Sequence, residues 1–213
     1  MTARLISVQV GKPRSLKGPK PWKSAFHKLP VVGPCRISKL NLEGDRQADL
    51  RVHGGPDQAV LCYAAAHYPD WSRSLGFPLP YGGFGENFTI HGLDEWSTCI
   101  GDVYAIGDAV LQVTQPRGPC FKIGYRWGIP DLLKQVTENQ RSGWYLRVLE
   151  EGTVEAGLEI RVAERPNPDW TVNRAARAWD QRNASPGEAD RLLACEGLAV
   201  KHRARLEAFV RRA

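Results

Sequence analysis

Apolar and β-branched residues recur in short runs through the first 166 residues, separated by glycine, proline and polar residues. Short runs bounded by such turn-forming residues are typical of β-strands. They predict eight strands, at 5–10, 35–40, 59–63, 87–90, 103–106, 110–114, 144–149 and 158–163. Helical periodicity is limited here to 64–75, interrupted by Pro69, and to 129–136. The pair Gly107-Asp108 predicts a tight hairpin, because both residue types accept positive φ. This pattern favours a β-barrel or another closed sheet.

The periodicity changes to that of a helix after residue 166. Apolar residues then recur at helical spacing in three segments, 172–179, 189–193 and 206–210. The run Ser185-Pro186-Gly187-Glu188 is typical of a helix start, and Gly197 of a helix end. Residues 1–166 hold 32 of the 36 glycines and prolines. We therefore predict a β-rich domain at 1–166 and a three-helix domain at 167–213, packed on the barrel because so short a unit is marginal alone.

Composition and charge narrow the class of protein. The chain has 213 residues, of which 42% are hydrophobic and 24% are charged, as expected for a globular protein. Its net charge of +6 favours anionic partners. The longest apolar run, 59–66, is far shorter than the ~18 residues that a membrane span needs. Five cysteines without a CxxC pair fit a disulfide framework poorly, so we expect a reducing, cytoplasmic location and no membrane association.

One probable loop, 44–57, concentrates charge, a histidine and a glycine pair. Gly54-Gly55 lets backbone amides turn toward an anion, and Arg46, Arg51 and His53 can add charged hydrogen bonds to a phosphate. The alternative is a solvated turn with internal Asp–Arg pairs. No histidine or cysteine spacing of a zinc site is present, so no zinc is expected.

A second probable loop, 114–122, follows a predicted strand and carries Cys120. Two prolines and a glycine make it rigid, and Arg117 and Lys122 are near enough in sequence to favour a thiolate. Such a thiolate is a nucleophile or a soft metal ligand, whereas most free cysteines are small buried hydrophobes. We expect Cys35, Cys62, Cys99 and Cys195 to be small buried hydrophobes of this kind.

Two shorter segments can also contact a ligand. Three glycines in 82–85 permit close backbone approach, with Glu86 or Asn87 as hydrogen-bonding groups, although a plain tight turn is the alternative. Lys23 and Ser24 can serve a phosphate. The sequence contains no GxGxxG, Walker A, HExxH or GxSxG motif.

Three of these segments, 43–57, 85–87 and 115–120, together resemble the MOSC family, named for the C-terminal domain of molybdenum cofactor sulfurase. The YiiM-like subgroup of that family adds a small three-helix domain after the β-rich domain. The resemblance implies a mainly β fold, a MOSC-type β-barrel with short peripheral helices followed by that helical domain.

The resemblance also implies binding of the molybdenum cofactor, a pyranopterin dithiolene that carries a phosphate and an oxo-molybdenum centre. Cys120 matches the cysteine expected to face or ligate molybdenum. The implied catalytic residues are Cys120, His53 and Asp45, with Glu86 as another candidate for proton transfer. The phosphate is assigned to Lys23, with Lys20 as the alternative. The implied cofactor-binding residues are Lys23, Ser24, Arg46, His53, Asn87, Gln115, Arg117 and Cys120.

The activity implied by the resemblance is reduction of N-hydroxylated compounds to amines, including base analogues such as 6-hydroxylaminopurine. The sequence has no iron–sulfur cysteine cluster or dinucleotide motif, so a separate flavoprotein reductase is expected to supply electrons. The helical region is a candidate contact for that reductase or for a homodimer.

Three other functions stay open at this point. A cofactor carrier or sulfur-transfer protein would hold a persulfide on Cys120, and a cysteine hydrolase would need His53 within reach of Cys120. A nucleic-acid-binding module would use the basic helical region, but residues 167–213 carry nine basic and six acidic side chains, a mixed surface. We therefore expect no nucleic-acid partner.

Overall fold

The computed structural model describes residues 2–16, 22–179 and 185–212. The described part of the chain contains twelve strands: β1 Ala3–Val10, β2 Arg14–Leu16, β3 Trp22–Ser24, β4 Leu29–Pro30, β5 Cys35–Ile37, β6 Val60–Ala64, β7 Phe88–His91, β8 Val103–Ile106, β9 Ala109–Pro116, β10 Trp144–Glu150, β11 Gly152–Val154 and β12 Glu159–Glu164. It also contains six α-helices: α1 Tyr68–Leu75, α2 Lys122–Trp127, α3 Leu132–Glu138, α4 Val172–Trp179, α5 Pro186–Leu193 and α6 Val200–Val210.

Seven strands close into a barrel in the order β12-β8-β9-β10-β6-β7-β1, and β1 pairs again with β12. All neighbours are antiparallel except β6 and β7, which are parallel. A parallel pair needs a crossover, and α1 lies in that connection. Closure leaves the barrel without exposed strand edges, and β4 extends the sheet along β1. The mainly β barrel with short helices is confirmed.

A continuous hydrophobic core joins the barrel to the helical C-terminal region. Leu111 and Leu146 from the barrel belong to the same buried cluster as Val172, Leu192 and Leu206 from the helices. Backbone bonds add to this contact: Val172 N donates to Thr98 O at 2.8 Å and Ala199 N donates to Thr114 O at 3.0 Å. The helices pack on the barrel, while a domain boundary after residue 166 stays a prediction.

The structure corrects several predicted boundaries. The predicted strand 35–40 ends at Ile37, and Ala64 ends β6 instead of beginning a helix. Pro69 does not interrupt α1, because it lies in the first turn, where a missing N–H costs nothing. The predicted helix 129–136 begins at Leu132. The elements β2, β3, β4, β11 and α2 were not predicted. The hairpin at Gly107-Asp108 is present, with positive φ only at Gly107.

Gly143, directly before β10, has a backbone that only glycine accepts. Its φ is +86°, and an added Cβ would overlap the backbone oxygen of Cys62 on the neighbouring strand β6. Because that atom belongs to the barrel backbone, it cannot move aside cheaply. Gly143 is therefore fixed by the packing of β10 against β6.

We expect Gly143→Ala to lower the free energy of unfolding by about 3 kcal/mol, the sum of a positive-φ cost and overpacking. Urea denaturation measures the change. Gly76→Ala is the matched control, because Gly76 also has a positive φ, +77°, but an added Cβ meets no atom within 4 Å. Equal losses in the two variants would contradict the proposed overlap at Gly143.

Candidate functional site

A cleft lies where β9 ends and where β7 and β10 begin. The empty space within it, including its open mouth, is about 670 Å³. Its lining comes from four segments and one strand residue, within 24–28, 46–61, 85–87 and 117–122, together with Tyr145 of β10.

The charge of the cleft is strongly asymmetric. Lys28, Arg46, Arg117 and Lys122 line it, and no aspartate or glutamate does so among the described residues. Since the cations converge on a partly enclosed space, the electrostatic potential there favours a negatively charged ligand. The chemistry that matches is that of a phosphate or another multivalent anion.

Arg117 is held in place by the turn that carries Gly143. Its backbone N donates to Gly143 O at 3.0 Å, and its Nη1 donates to Ser142 O at 3.4 Å. The side chain is only 5% exposed, and its guanidinium carbon lies 5.7 Å from the centroid of the Phe26 ring. Arg117 is thus pre-positioned in the wall, so little side-chain entropy is lost when it binds an anion.

Phe26 forms a second wall of the cleft, and the glycine turn before β7 makes room for it. Gly85 has a φ of +79°, and an added Cβ would lie 2.9 Å from the Phe26 ring. Glu86 closes this turn, because its buried carboxylate accepts from Gly82 N at 2.7 Å and from Phe84 N at 3.1 Å. It also accepts from Tyr68 OH, and it does not line the cleft. The glycines therefore serve the turn and the seating of Phe26.

Asp45 lies behind the wall, fully buried and outside the cleft lining. Its Oδ1 accepts from Gly11 N at 2.7 Å and from Lys28 Nζ at 2.5 Å, and its Oδ2 accepts from Asn87 Nδ2 at 3.0 Å. Burial lowers the pKa of Lys28, and the Asp45 carboxylate opposes that shift. With three donors in place, Asp45 is a positioning residue for Lys28 and Asn87.

Asn87 and Ser24 line the cleft, yet both make structural bonds. Asn87 Nδ2 also donates to Gln9 O at 3.1 Å, and its Oδ1 accepts from Leu61 N at 3.1 Å. Ser24 Oγ accepts from the backbone N of Phe26 at 3.1 Å, which leaves its hydroxyl hydrogen available to a ligand. Asn87 therefore fixes the start of β7, whereas Ser24 can still donate.

Cys120 and His53 lie at the junction between the cleft and a wider, shallower groove beside it. We call this the outer groove, and it is lined by Lys23, 48–53, 118–122 and Leu133. Cys120 is partly exposed, whereas the other four cysteines are buried. Burial lowers the pKa of His53, and the nearby Lys122 and Arg117 lower it further. Since the ordinary value is 6.5, this lowering of the pKa favours the neutral imidazole at pH 7.

The structure brings most of the predicted site residues together. Six of the predicted residues line the cleft: Ser24, Arg46, His53, Asn87, Arg117 and Cys120. Lys23 lies in the outer groove, and Lys20 is outside the described residues. Asp45 and Gln115 are buried and do not line the cleft. Other lining side chains were not predicted from the sequence, among them Phe26, Lys28, Gln47, Gln58 and Tyr145.

Tyr145 was not predicted from the sequence, although it interacts electrostatically with two residues that were. Burial raises the pKa of its phenol, Arg117 opposes that shift and Cys120 adds to it. Tyr145, Arg117 and Cys120 all line the same cleft. The alternation of β10 predicts that Trp144 and Tyr145 face opposite sides, but it does not say which side meets the cleft.

Within the described residues, no group of three or more His, Cys, Asp or Glu side chains is arranged to hold a metal ion. In the same part of the chain, no helix is both long and apolar enough to cross a bilayer.

The MOSC domain family model matches residues 49–161, more than half of the chain. The chain belongs to the MOSC domain family. This MOSC protein is 35% identical to protein YiiM of Escherichia coli over 202 residues, 91% of this chain and 87% of that one. The crystal structure of YiiM from Geobacillus stearothermophilus superposes with a TM-score of 0.83 at 29% identity, covering 98% of this chain and 99% of that one.

A third relative is a protein of Gibberella moniliformis named as a reductase. It is 40% identical over 167 residues, which are 76% of this MOSC protein but only 29% of the reductase. The predicted family membership and the YiiM-like resemblance are confirmed. Because MOSC domains are associated with the molybdenum cofactor, the function is molybdenum-cofactor-associated.

We expect Asp45→Ala to lower the free energy of unfolding by about 3–5 kcal/mol, because it leaves Lys28 charged, buried and without its carboxylate. Urea denaturation measures this loss. Asp49→Ala is the control, since Asp49 forms an exposed ion pair with Arg51 at 2.8 Å and should change the midpoint very little. A small loss of stability in Asp45→Ala would contradict the role of Asp45 as the buried ion-pair partner of Lys28.

Proposed function

We propose that this protein reduces N-hydroxylated compounds to amines with the molybdenum cofactor bound in the cleft. The observation that carries the proposal is the combination of converging cations, no lining carboxylate among the described residues, and one partly exposed thiol at the mouth. A phosphate-bearing cofactor with a sulfur-ligated metal matches each of these features.

The residues present fit that cofactor in their chemistry. Arg46, Arg117 and Lys122 would hold its phosphate, since charged donors form the strongest bonds to phosphate oxygens. The amides of Gln47 and Gln58 offer both donors and acceptors to the edge of a pterin. The cofactor brings its own dithiolene sulfurs, so one protein thiolate from Cys120, a soft ligand, would complete a metal site without a protein cluster.

When bound, the cofactor supplies two electrons to the substrate. The reaction R–NHOH + 2e⁻ + 2H⁺ → R–NH₂ + H₂O breaks the N–O bond and needs two protons. His53 lies at the junction of the cleft and the outer groove, where it can take protons from solvent and donate them toward Cys120. Lys28, Asp45 and Asn87 act as the support that fixes the wall.

Electrons would come from a separate flavoprotein reductase. The sequence has neither a dinucleotide motif nor an iron–sulfur cysteine cluster of its own to deliver electrons. A separate electron donor is also what the family resemblance implies. The outer groove, which opens to solvent beside Cys120, gives a substrate access to the junction.

The first test is metal and pterin analysis with a reduction assay. Protein made in a host that produces the cofactor should contain near-stoichiometric molybdenum and pterin and should reduce 6-hydroxylaminopurine with an artificial electron donor. Cys120→Ala should lose on the order of 100-fold in rate with altered molybdenum content. Cys195→Ala, which removes a buried thiol outside the cleft, should keep both.

Two outcomes would overturn this proposal. Loaded protein that leaves 6-hydroxylaminopurine unchanged with an active donor would exclude the reductase. Bound cofactor with a persulfide on Cys120 and no turnover would instead favour a carrier or sulfur-transfer protein.

The pH dependence tests the role of His53. A proton donor is active when protonated, so the rate should rise as pH falls through the pKa of His53, which lies below 6.5 because of burial, Lys122 and Arg117. His53→Gln should remove this limb of the kcat/KM profile, while His91→Gln, at an exposed histidine of β7, should retain it. A limb that persists in His53→Gln would assign the proton to another group.

A further inference from the structure

The segment from His53 to Gln58 reaches the cleft through an unusually permissive stretch of backbone. His53, Gly54 and Gln58 line the cleft, and Gly54 and Gly55 have φ values of +79° and +91°. At Gly55 an added Cβ would meet no atom within 4 Å. Two adjacent glycines give this segment great conformational freedom, so a contact elsewhere must fix its position.

Asp57 supplies that contact. Its Oδ2 accepts from the backbone N of Val200 at 2.7 Å, and its Oδ1 lies 2.9 Å from Nη2 of Arg147. Its backbone O accepts from Thr114 Oγ1 at 2.7 Å. The carboxylate therefore ties the short 3-10 helix at Pro56–Gln58 to the first residue of α6 and to strand β10.

The start of α6 is itself a fixed point. Ala199 N donates to Thr114 O of β9 at 3.0 Å, and Arg147 Nη2 donates to Gly197 O at 3.0 Å. Leu198 and Ala199 are buried. The end of α6 that Asp57 contacts is thus attached to the barrel on both sides and can serve as a rigid anchor.

We infer that Asp57 is a positioning residue through which the C-terminal helical region holds the His53–Gln58 segment of the cleft in place. The helical region would then support the site directly, because α6 fixes the segment that carries His53 and Gln58. The consequence for cofactor retention rests on the proposed function, whereas the consequence for the segment itself does not.

Val200→Pro tests this contact with little other change. Proline lacks the N–H that donates to Asp57, and it is well tolerated at the first position of a helix. The preceding residue, Ala199, has φ −58° and ψ 138°, a conformation that proline permits before it. The Val200 side chain is 72% exposed, so its replacement disturbs little packing. Val200→Ala is the matched control, because it also changes that side chain but keeps the N–H.

Native-state hydrogen exchange reads the segment itself. His53 N donates to Asp49 O and Gln58 N donates to Gly55 O, both at 3.0 Å, so these two amides report its opening. We expect Val200→Pro to speed their exchange by about tenfold or more, the factor for one lost bond to a charged group. Val200→Ala should match the unchanged protein, and the amides of β9 should exchange equally in all variants. Unchanged exchange at His53 and Gln58 in Val200→Pro would overturn the inference.

Substitutions at Asp57 give an independent test should α6 itself unfold in Val200→Pro. Asp57→Ala removes both side-chain contacts, and Asp57→Asn keeps an acceptor for Val200 N while losing the charge opposite Arg147. The expected order of exchange rates at Gln58 is Asp57→Ala fastest, Asp57→Asn intermediate and the unchanged protein slowest. Asp57→Ala combined with Val200→Pro should be no faster than Asp57→Ala alone, since both act on one contact. Additive effects of Asp57→Ala and Val200→Pro on the exchange rate, or equal rates in Asp57→Asn and Asp57→Ala, would contradict the inferred role of Asp57.

The loaded protein supplies the functional readout. Cofactor dissociation, followed as molybdenum and pterin lost on dialysis, should be about tenfold faster in Val200→Pro than in Val200→Ala. Equal dissociation would overturn the supporting role of α6 in cofactor retention. If no variant contains molybdenum, the proposed function fails, while the exchange of His53 and Gln58 still decides the role of Asp57.

Discussion

The Asp45 carboxylate, completely removed from water, accepts hydrogen bonds from the end of β1, from Lys28 before β4 and from Asn87 before β7. Three connections that are distant in sequence meet at this one group. Removing a carboxylate and an ammonium from water is costly, and the cost is offset only when such a set of donors is complete. The cleft wall therefore depends on Asp45, although Asp45 does not face the cleft.

The neutralisation of Lys28 by Asp45 has a chemical consequence for the ligand. Arg46, Arg117 and Lys122 remain as charges that no lining carboxylate compensates in the described part of the chain. Arg117 in turn owes its position to the turn at Gly143, which only glycine accepts. Buried groups that do not line the cleft, Asp45 and Glu86, set its shape, whereas Arg46, Arg117 and Lys122 line it. This arrangement is consistent with membership of the MOSC domain family, which is associated with the molybdenum cofactor.

Periodicity predicted the elements that a pattern can report. Strands β9 and β10 alternate buried and half-buried positions over their first residues, and the hairpin between β8 and β9 has its glycine where the turn needs it. Strand β2, Arg14–Leu16, has only three residues, which is too few to show a hydrophobic period. Helix α2 contains a glycine and follows a proline-rich loop. Such elements are stabilised by their neighbours, so their own sequence predicts them poorly.

The candidate site shows the same limit at the level of single residues. Sequence identified the residue types that meet an anion, and six of the predicted residues line one cleft. It does not show the direction of a side chain: the family resemblance implies a catalytic Asp45, whereas the hydrogen bonds of Asp45 point into the wall. Phe26 and Lys28 carry no motif, and only the packing of Phe26 on Gly85 and of Lys28 on Asp45 brings them to the site.

The burial of four cysteines beside one partly exposed thiol has a practical consequence. Thiol reagents react according to access, so Cys120 should be alkylated long before Cys35, Cys62, Cys99 or Cys195 in the folded protein. The natural chain therefore accepts a spectroscopic or cross-linking label at the mouth of its cleft without removal of any other cysteine. If a bound ligand protects Cys120 from labelling, the extent of labelling reports occupancy of the cleft directly. This readout does not require catalytic turnover.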